Sequence, residues 1–501
     1  MIKNKIKSII NDKLSVLNKL DLGSHKNIMK KHSLKEIVGL LKNRKISQKE
    51  LLNYYFSRIE KFNPILNALV SLRNIDEIFN DLENLKIRSV QKKTKSLFGI
   101  PIAVKDLIDV KGLPTTYGVP KYKNNVAKKN SIIVNRLIGS GALIIGKTNT
   151  PEWGLGSQTF NRAFGSTSNP YDVSKTAGGS SGGAAASIAA DLIPIADGSD
   201  MMGSCRNPAA YCNLYGFRPT PGLIPEERSQ TRHKKLPILS TLGALAKTPE
   251  DLAYFLDIIS GSHESDPFSF DLDCSFDDVY LRDEEMHGRK IAWLNDLGGY
   301  YQVEEEILEQ CKKSLFSLAQ NKVVVEEIEP EANPYYLSNS WKILRSKSLY
   351  DEFLNYNLSS DEKILTVDWE IKNGQVVKET DLEEALAWRS LWENEVNSIF
   401  KKYDYLALPV AQVYPFNKDI PYPSNINGKQ METYHQWMDI VVLSSILGLP
   451  TISVPVGLNR NGLPMGMQII GKRKSDLDLI AFAKKYETIF SCSEIVPQKF
   501  N

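Results

Sequence analysis

Residues 177–210 read AGGSSGGAAASIAADLIPIADGSDMMGSCRNPAA, two glycine-serine clusters joined by a short apolar run. A serine hydroxyl is a weak nucleophile until a neighbouring base takes its proton. The stretch contains no histidine, and Ser204, in MGSCR, does not stand in a GxSxG elbow. An attacking Ser204 therefore needs a base other than the histidine of a Ser-His-Asp triad. Backbone N–H groups of its loop can converge on a developing oxyanion. GGSSGG lacks the GxxxxGK[ST] pattern of a phosphate loop, so by itself it reads as a tight turn. One lysine has an unusual setting: Lys105 stands next to last in FGIPIAVKD (98–106). Buried on a strand it loses hydration, its pKa falls and it becomes a base. At the surface it would simply pair with Asp106.

These groups need elements to hold them. FGIPIAVKD reads as a short buried strand, as do GALIIGKTN (141–149) and LIPIADGSD (192–200). Small residues at 183–190 suit a helix that approaches its neighbours closely. Ser47 and Glu50 form a capping box before the stripe Leu51, Leu52, Tyr55, Phe56, Ile59, and Asn63-Pro64 is expected to stop that helix. Thr248-Pro249-Glu250-Asp251 opens another. Residues 262–288 read as acidic loop, 290–296 as a strand, 303–319 as a helix and 322–330 as a strand. Residues 335–400 are mostly helical, carry Trp341, Trp369, Trp388 and Trp392, and are a natural cap over a site; those tryptophans are either a binding wall or core. Strand patterns recur at 403–410, 449–457 and 464–471, before a closing helix. Strands alternating with helices predict an α/β or mixed sheet covered on both faces.

The 501 residues are 42% apolar, enough for a large core, and no segment is polar enough to predict disorder. A net charge of +3, from 62 basic and 59 acidic residues, argues against nucleic acid and anionic membrane as partners. Five cysteines without a CxxC predict free thiols in a reducing compartment, and six scattered histidines give no metal motif. The lysine-rich start has an amphipathic pattern at Ile6, Ile9, Ile10, Leu14, Leu17 and Leu20 but no membrane-length apolar run. We expect residues 1–35 as an N-terminal helical extension and 36–501 as a single domain with a helical cap at about 335–400.

Several ordered blocks together resemble the amidase signature family. They are AVKD around Lys105, NTPEWG (149–154), FGSTSNP (164–170), the stretch 177–210, GFRPTPG (216–222), LPTISVPVG (449–457) and GLPMGMQIIG (462–471). The resemblance spans roughly 40–485. It implies the amidase signature fold, a large mixed twisted β-sheet covered by helices on both faces. It also implies a Ser-Ser-Lys triad: Ser204 as nucleophile, Ser180 as the bridging serine after a cis peptide at Gly179, and Lys105 as base. Backbone amides of Met201, Met202, Gly203 and Ser204 would form the oxyanion hole. Ser181 would support the turn, and Asp200 and Arg206 would brace the loop as an ion pair. The implied reaction turns a carboxylic amide into a carboxylate plus ammonia or amine through a Ser204 acyl-enzyme. No cofactor or metal is expected. The expected partner is a small-molecule amide in the cytoplasm, with homodimers common in the family.

One position departs from the pattern. The family writes DTGGS or DIGGS where this chain has DMMGS, so Met202 replaces a glycine. Either that glycine supplies a backbone conformation methionine tolerates poorly, or the Met202 side chain fills space above the acyl group and narrows its pocket. Two other functions stay open. One is the glutaminase subunit of a tRNA-dependent amidotransferase, whose YGRVSRYG-like and SLDQ blocks are replaced here by GLIPEERSQTRHKKLPILSTLGALAKT (222–248). The other is a catalytically degenerate binding protein.

Overall fold

The computed structural model describes residues 33–87, 96–227, 236–282, 286–356, 358–359 and 363–500. The amphipathic pattern at residues 6–20 lies outside them, as do residues 228–235 of the segment that departs from the amidotransferase blocks.

Helix Leu34–Lys42 buries Leu34, Ile37 and Leu41 and is closed by a Ser33–Glu36 capping box. The next helix starts at its expected box, Ser47 with Glu50, but runs Gln48–Leu66 with Pro64 inside it. A proline in the last turn removes one helical N–H bond without halting the chain. The stop comes later, where Asn67 turns left-handed at φ 50°. Asn63 anchors that stop, its side-chain oxygen accepting from the amides of Ala68 at 3.0 Å and Leu69 at 2.8 Å.

Thirteen strands are described: β1 Leu69–Val70, β2 Pro101–Lys105, β3 Leu143–Thr148, β4 Ala196–Asp200, β5 Tyr215–Arg218, β6 Thr241–Ala246, β7 Lys290–Trp293, β8 Val324–Glu327, β9 Tyr405–Pro409, β10 Asn425–Ile426, β11 Lys429–Gln430, β12 Thr451–Leu458 and β13 Pro464–Ile470. Eight of them form one sheet in the order β4-β6-β5-β12-β13-β9-β7-β8, parallel only where β7 meets β8 and β9. A smaller sheet, β1-β3-β2, carries Lys105 at its edge, with β2 parallel to β3. The two sheets meet through a side chain: the Lys105 amide donates to the Asp197 carboxylate on β4 at 3.2–3.3 Å.

Alternation on the strands places helices on both faces of the large sheet. On β5, a Cβ at Gly216 would lie 2.5 Å from Ala209 in helix Arg206–Tyr211, whereas Phe217 packs edge-on against Phe276 on the other side. The acidic segment 262–288 is not all loop, since Ser275 caps helix Phe276–Leu281. The sequence reading passed over β5 and β6 because they are short and glycine- and alanine-rich, with little β-branched signal.

The 335–400 region folds as helices Pro334–Phe353, Leu365–Gln375 and Glu379–Ile399. Trp341 and Trp392 are fully buried in the main core. Trp369 packs edge-on against Tyr434 and His435, and Trp388 stacks on Tyr336. These tryptophans hold the helices to one another and to the core. All five cysteines are free, and only Cys274 reaches solvent appreciably. No described helix is long and apolar enough to cross a membrane.

Candidate active site

Lys105 stands at the end of β2 and is fully buried. Its Nζ donates to Ser180 Oγ at 2.8 Å, Ser181 Oγ at 2.9 Å and Ser199 Oγ at 2.9 Å. Burial, opposed by the charges of Asp197, Asp200 and the Cys205 thiol, lowers its pKa to about 8. The surface pairing with Asp106 does not occur. Asp106 turns the other way, bonding Thr116 and lying 3.8 Å from Lys147, a second buried lysine. Lys105 is thus left among hydroxyls with no carboxylate in contact with its ammonium.

Strand alternation explains two residues that the sequence reading missed. In ADGSD, Asp197 and Ser199 share a face of β4, and both meet Lys105, one at its amide and one at its Nζ. Asp197 is buried, and burial raises its pKa to about 6 against the pull of the Lys105 amide and of Lys147 and Lys105. Asp200, on the opposite face, serves a different network.

The two serine clusters interlock through backbone. The Gly179–Ser180 peptide is cis. Ser181 precedes helix Gly182–Ala189, and its amide donates to the Ser204 carbonyl at 3.2 Å. Asn207 Oδ1 accepts from the Gly179 amide at 3.2 Å. Glycine is required in this helix because a Cβ at Gly183 would lie 2.2 Å from the Asn149 nitrogen. Ser204 sits between β4 and helix Arg206–Tyr211 and is 7% exposed. Among the described residues no hydrogen bond joins the Ser180 and Ser204 hydroxyls; such bonds often tighten only when substrate is bound.

Asp200 braces the loop. Its carboxylate accepts from the amides of Gly203 at 2.9 Å and Cys205 at 3.1 Å, and from Arg206 Nε at 3.0 Å and Nη2 at 2.9 Å. Arg206 also donates to Ser444 Oγ and Gln468 Oε1, each at 2.7 Å. Arg218, which the sequence reading did not single out, donates to the Asp200 carbonyl and lies 3.5 Å from its carboxylate. Burial would push Asp200 up, but Arg206, Arg218 and the backbone donors hold it well below the usual carboxylate range. The Gly203 N–H is therefore already turned to Asp200.

The methionines divide differently from expectation. The left-handed residue of DMMGS is Gly203 at φ +79°, and Met202 does not take a positive φ. A Cβ at Gly203 would also lie 3.1 Å from Val441. Met202, 3% exposed, belongs to the main core. Met201 is the half-buried one, packed against both the main core and the small cluster of Leu155, Leu349, Phe353 and Val367, whose members come from helices Pro334–Phe353 and Leu365–Gln375. Beside it Trp153, at φ 57°, stacks on Tyr117 with centroids 5.0 Å apart and packs against Phe353 and Tyr356. The aromatic group beside Met201 comes from Tyr117, Trp153, Phe353 at the end of helix Pro334–Phe353, and Tyr356. A Cβ at Gly154 would be 3.7 Å from Ser180 Oγ.

A buried lysine of lowered pKa, two neighbouring loops of serines and a braced loop of backbone N–H groups are groups that acyl transfer from an amide can use. The Amidase family model matches residues 50–480, and the chain belongs to that family. It is 30% identical over 474 residues to an acylamidase of Rhodococcus erythropolis, covering 91% of this chain and 95% of that one. It is 31% identical over 492 residues to the A-type subunit of the glutamyl-tRNA(Gln) amidotransferase of Caldanaerobacter subterraneus subsp. tengcongensis, covering 92% and 96%. Among solved structures, a bacterial aryl acylamidase of the amidase signature family superimposes with a TM-score of 0.84 at 28% identity, covering 92% and 97%. A 6-aminohexanoate cyclic dimer hydrolase shares the fold with a TM-score of 0.82 at 23% identity. The protein is an amidase.

Proposed function

We propose that the amidase hydrolyses its substrate through a Ser204 acyl-enzyme, with Lys105 as base and Ser180 as the proton bridge. The observation that carries this reading is the fully buried Lys105 Nζ held 2.8 Å from Ser180 Oγ. A neutral amine has two N–H donors and one lone pair. Ser181 and Ser199 can accept the two N–H bonds, which leaves the lone pair aimed at the Ser180 hydroxyl. As Ser204 Oγ attacks the carbonyl carbon, its proton passes to Ser180 and that of Ser180 to Lys105. The C=O electron pair moves onto oxygen, where the amides of Met201, Met202 and Ser204 receive it; the Gly203 amide stays with Asp200 or is released by the loop on binding. The relay then returns a proton to the departing nitrogen, the C–N bond breaks, and water cleaves the Ser204 ester by the same route.

The test is the full-length protein against a panel of simple and aryl amides, with intact-mass detection of the acyl adduct. Ser204→Ala should abolish turnover and adduct together. An adduct that persists in Ser204→Ala refutes the assignment, and a parent inert to every amide returns the protein to the binding-protein reading.

The acylamidase and aryl acylamidase relatives favour a free-standing enzyme on small amides. The amidotransferase relatives support the alternative, in which the amide is glutamine and the ammonia passes to a partner; co-purification with two further subunits would establish it. We read residues 36–501 as one domain capped by about 335–400, a reading supported by a single main core whose members run from Leu34 to Cys492. We also propose a cytoplasmic homodimer. Its free buried thiols support a reducing compartment, the family's habit supports the dimer, and light scattering after gel filtration tests it.

A further inference from the structure

β2 is the edge strand of the small sheet, bonded to β3 on one side only. Its free edge does not face water, since every residue of β2 is buried. A buried backbone N–H without a strand neighbour needs another acceptor. At Lys105 that acceptor is the Asp197 carboxylate, which takes the amide with both oxygens, at 3.3 and 3.2 Å. Asp197 comes from β4, the terminal strand of the large sheet. One carboxylate thus joins the edges of two sheets at the residue that carries the base.

β4 holds Lys105 at both ends. Asp197 takes its amide, and Ser199, two residues on, accepts from its Nζ at 2.9 Å. Gly198 between them leaves no room for a side chain. A Cβ there would lie 3.0 Å from Ser181 Oγ, another acceptor of the Lys105 ammonium, and 2.7 Å from Cys205 Sγ.

The place of the charge matters as much as the bond. A carboxylate bonded to Nζ would hold the proton there and spoil the base. Asp197 sits at the other end of the same residue, where its charge acts on Nζ through a buried interior without pairing to it. Asp197 is fully buried, and its pKa of about 6 keeps it ionised over the range in which Lys105 releases its proton. The other titratable groups around the pair are Lys147 on β3, Asp200 at the end of β4 and Cys205 after it. Helix Gly182–Ala189, packed against β2, β3, β4 and β6, brings no ionisable side chain, and neither does Ala244, the partner of Asp197 on β6.

We infer that Asp197 is a positioning residue for the base: by gripping the Lys105 amide it fixes where the amine stands, and by its charge it sets how readily that amine takes a proton. The inference rests on the reading of Lys105 as base, but the ionisation of Lys105 can be followed without turnover.

The test compares the full-length parent with Asp197→Asn, which keeps an oxygen acceptor and loses the charge, and with Asp197→Ala, which loses both. Two readouts are taken from pH about 7 to 10. One is kcat and KM for an uncharged amide. The other is NMR of protein isotope-labelled at lysine Cε, the Lys105 signal being the one absent from Lys105→Met. In Asp197→Asn the Lys105 midpoint should fall about 1 pH unit below the parent's in both readouts, with the kcat plateau within about threefold of the parent's. Asp197→Ala should move the midpoint at least as far and lower kcat about tenfold further, with KM near the parent's, because the amine is no longer held in place. A carboxylate that only pins the two sheets together would leave the midpoint alone, so an unmoved Lys105 midpoint in folded Asp197→Asn overturns the inference. An Asp197→Ala plateau equal to that of Asp197→Asn also overturns it. If either variant does not fold, the midpoint in the other decides. If the NMR midpoint moves while the parent cleaves no amide, the amidase mechanism fails and the hold of Asp197 on Lys105 stands. If amides are cleaved through Ser204 and the midpoint does not move, the inference fails alone.

Discussion

The pH dependence of turnover follows from the depth of Lys105. Its folded pKa of about 8 lies below its ordinary value of 10.5 because burial strips its hydration, and the surrounding Asp197, Asp200 and Cys205 recover only part of that loss. Only the neutral amine can act as base. At pH about 7 roughly one molecule in eleven has it, and at pH about 9 roughly ten in eleven. For an uncharged amide, kcat/KM should rise about tenfold between those values and level off above pH about 9. A lysine at 10.5 would give about a hundredfold rise with no plateau in that range. Stability should follow the same group. Between pH about 8 and 10.5 the unfolded chain holds a proton that the folded chain has released, so stability rises with pH across that window. The gain, about 3 kcal/mol in all, is complete above the upper limit and absent below the lower one. The assay is initial rates from pH about 6 to 10, paired with urea unfolding of the parent and Lys105→Met. A slope of one that continues past pH about 9.5, or a flat profile, refutes the buried-base reasoning. So does a parent whose stability changes across the window no differently from Lys105→Met.

Four further outcomes are expected. Asp200→Asn leaves Arg206 and Arg218 buried without their countercharge and should cost about 3–5 kcal/mol in urea unfolding, so a change under about 1 kcal/mol would contradict the bracing role. Met202→Gly empties a core position and should cost about 2–5 kcal/mol while leaving the profile across short and bulky amides unchanged. Met201→Ala should instead shift that profile towards bulkier amides with little loss of stability; the reverse pattern would place Met202 at the pocket. Ser199→Ala removes one of the three oxygens around Lys105 and should lower kcat about tenfold with KM near the parent's, whereas a rise in KM alone would make Ser199 a substrate contact.

Much of this site was legible in the chain. Glycine-serine clusters, a lysine ending an apolar strand and the order of the flanking blocks name a chemistry because few residue types can perform it. The capping box at Ser47 and the Thr248-Pro249 helix start were equally legible, since caps are local and their partners lie three residues away. The end of the first of those helices was not. Pro64 suggested a stop, but Asn67 and the reach of Asn63 across the turn decided it.

What the sequence determined by itself, then, is a candidate set, Lys105, Ser180 and Ser204, which the resemblance of their blocks to the amidase signature family implies. The tertiary structure decided which neighbours tune them. Ser199 and Asp197 reach Lys105 only because β4 lies against the edge of a separate small sheet, and Arg218 reaches Asp200 only through strand pairing. The two adjacent methionines, alike on paper, part company because β4 ends there. Met202 turns into the core and Met201 towards the cap, a choice made by the direction of one short loop that no local pattern encodes.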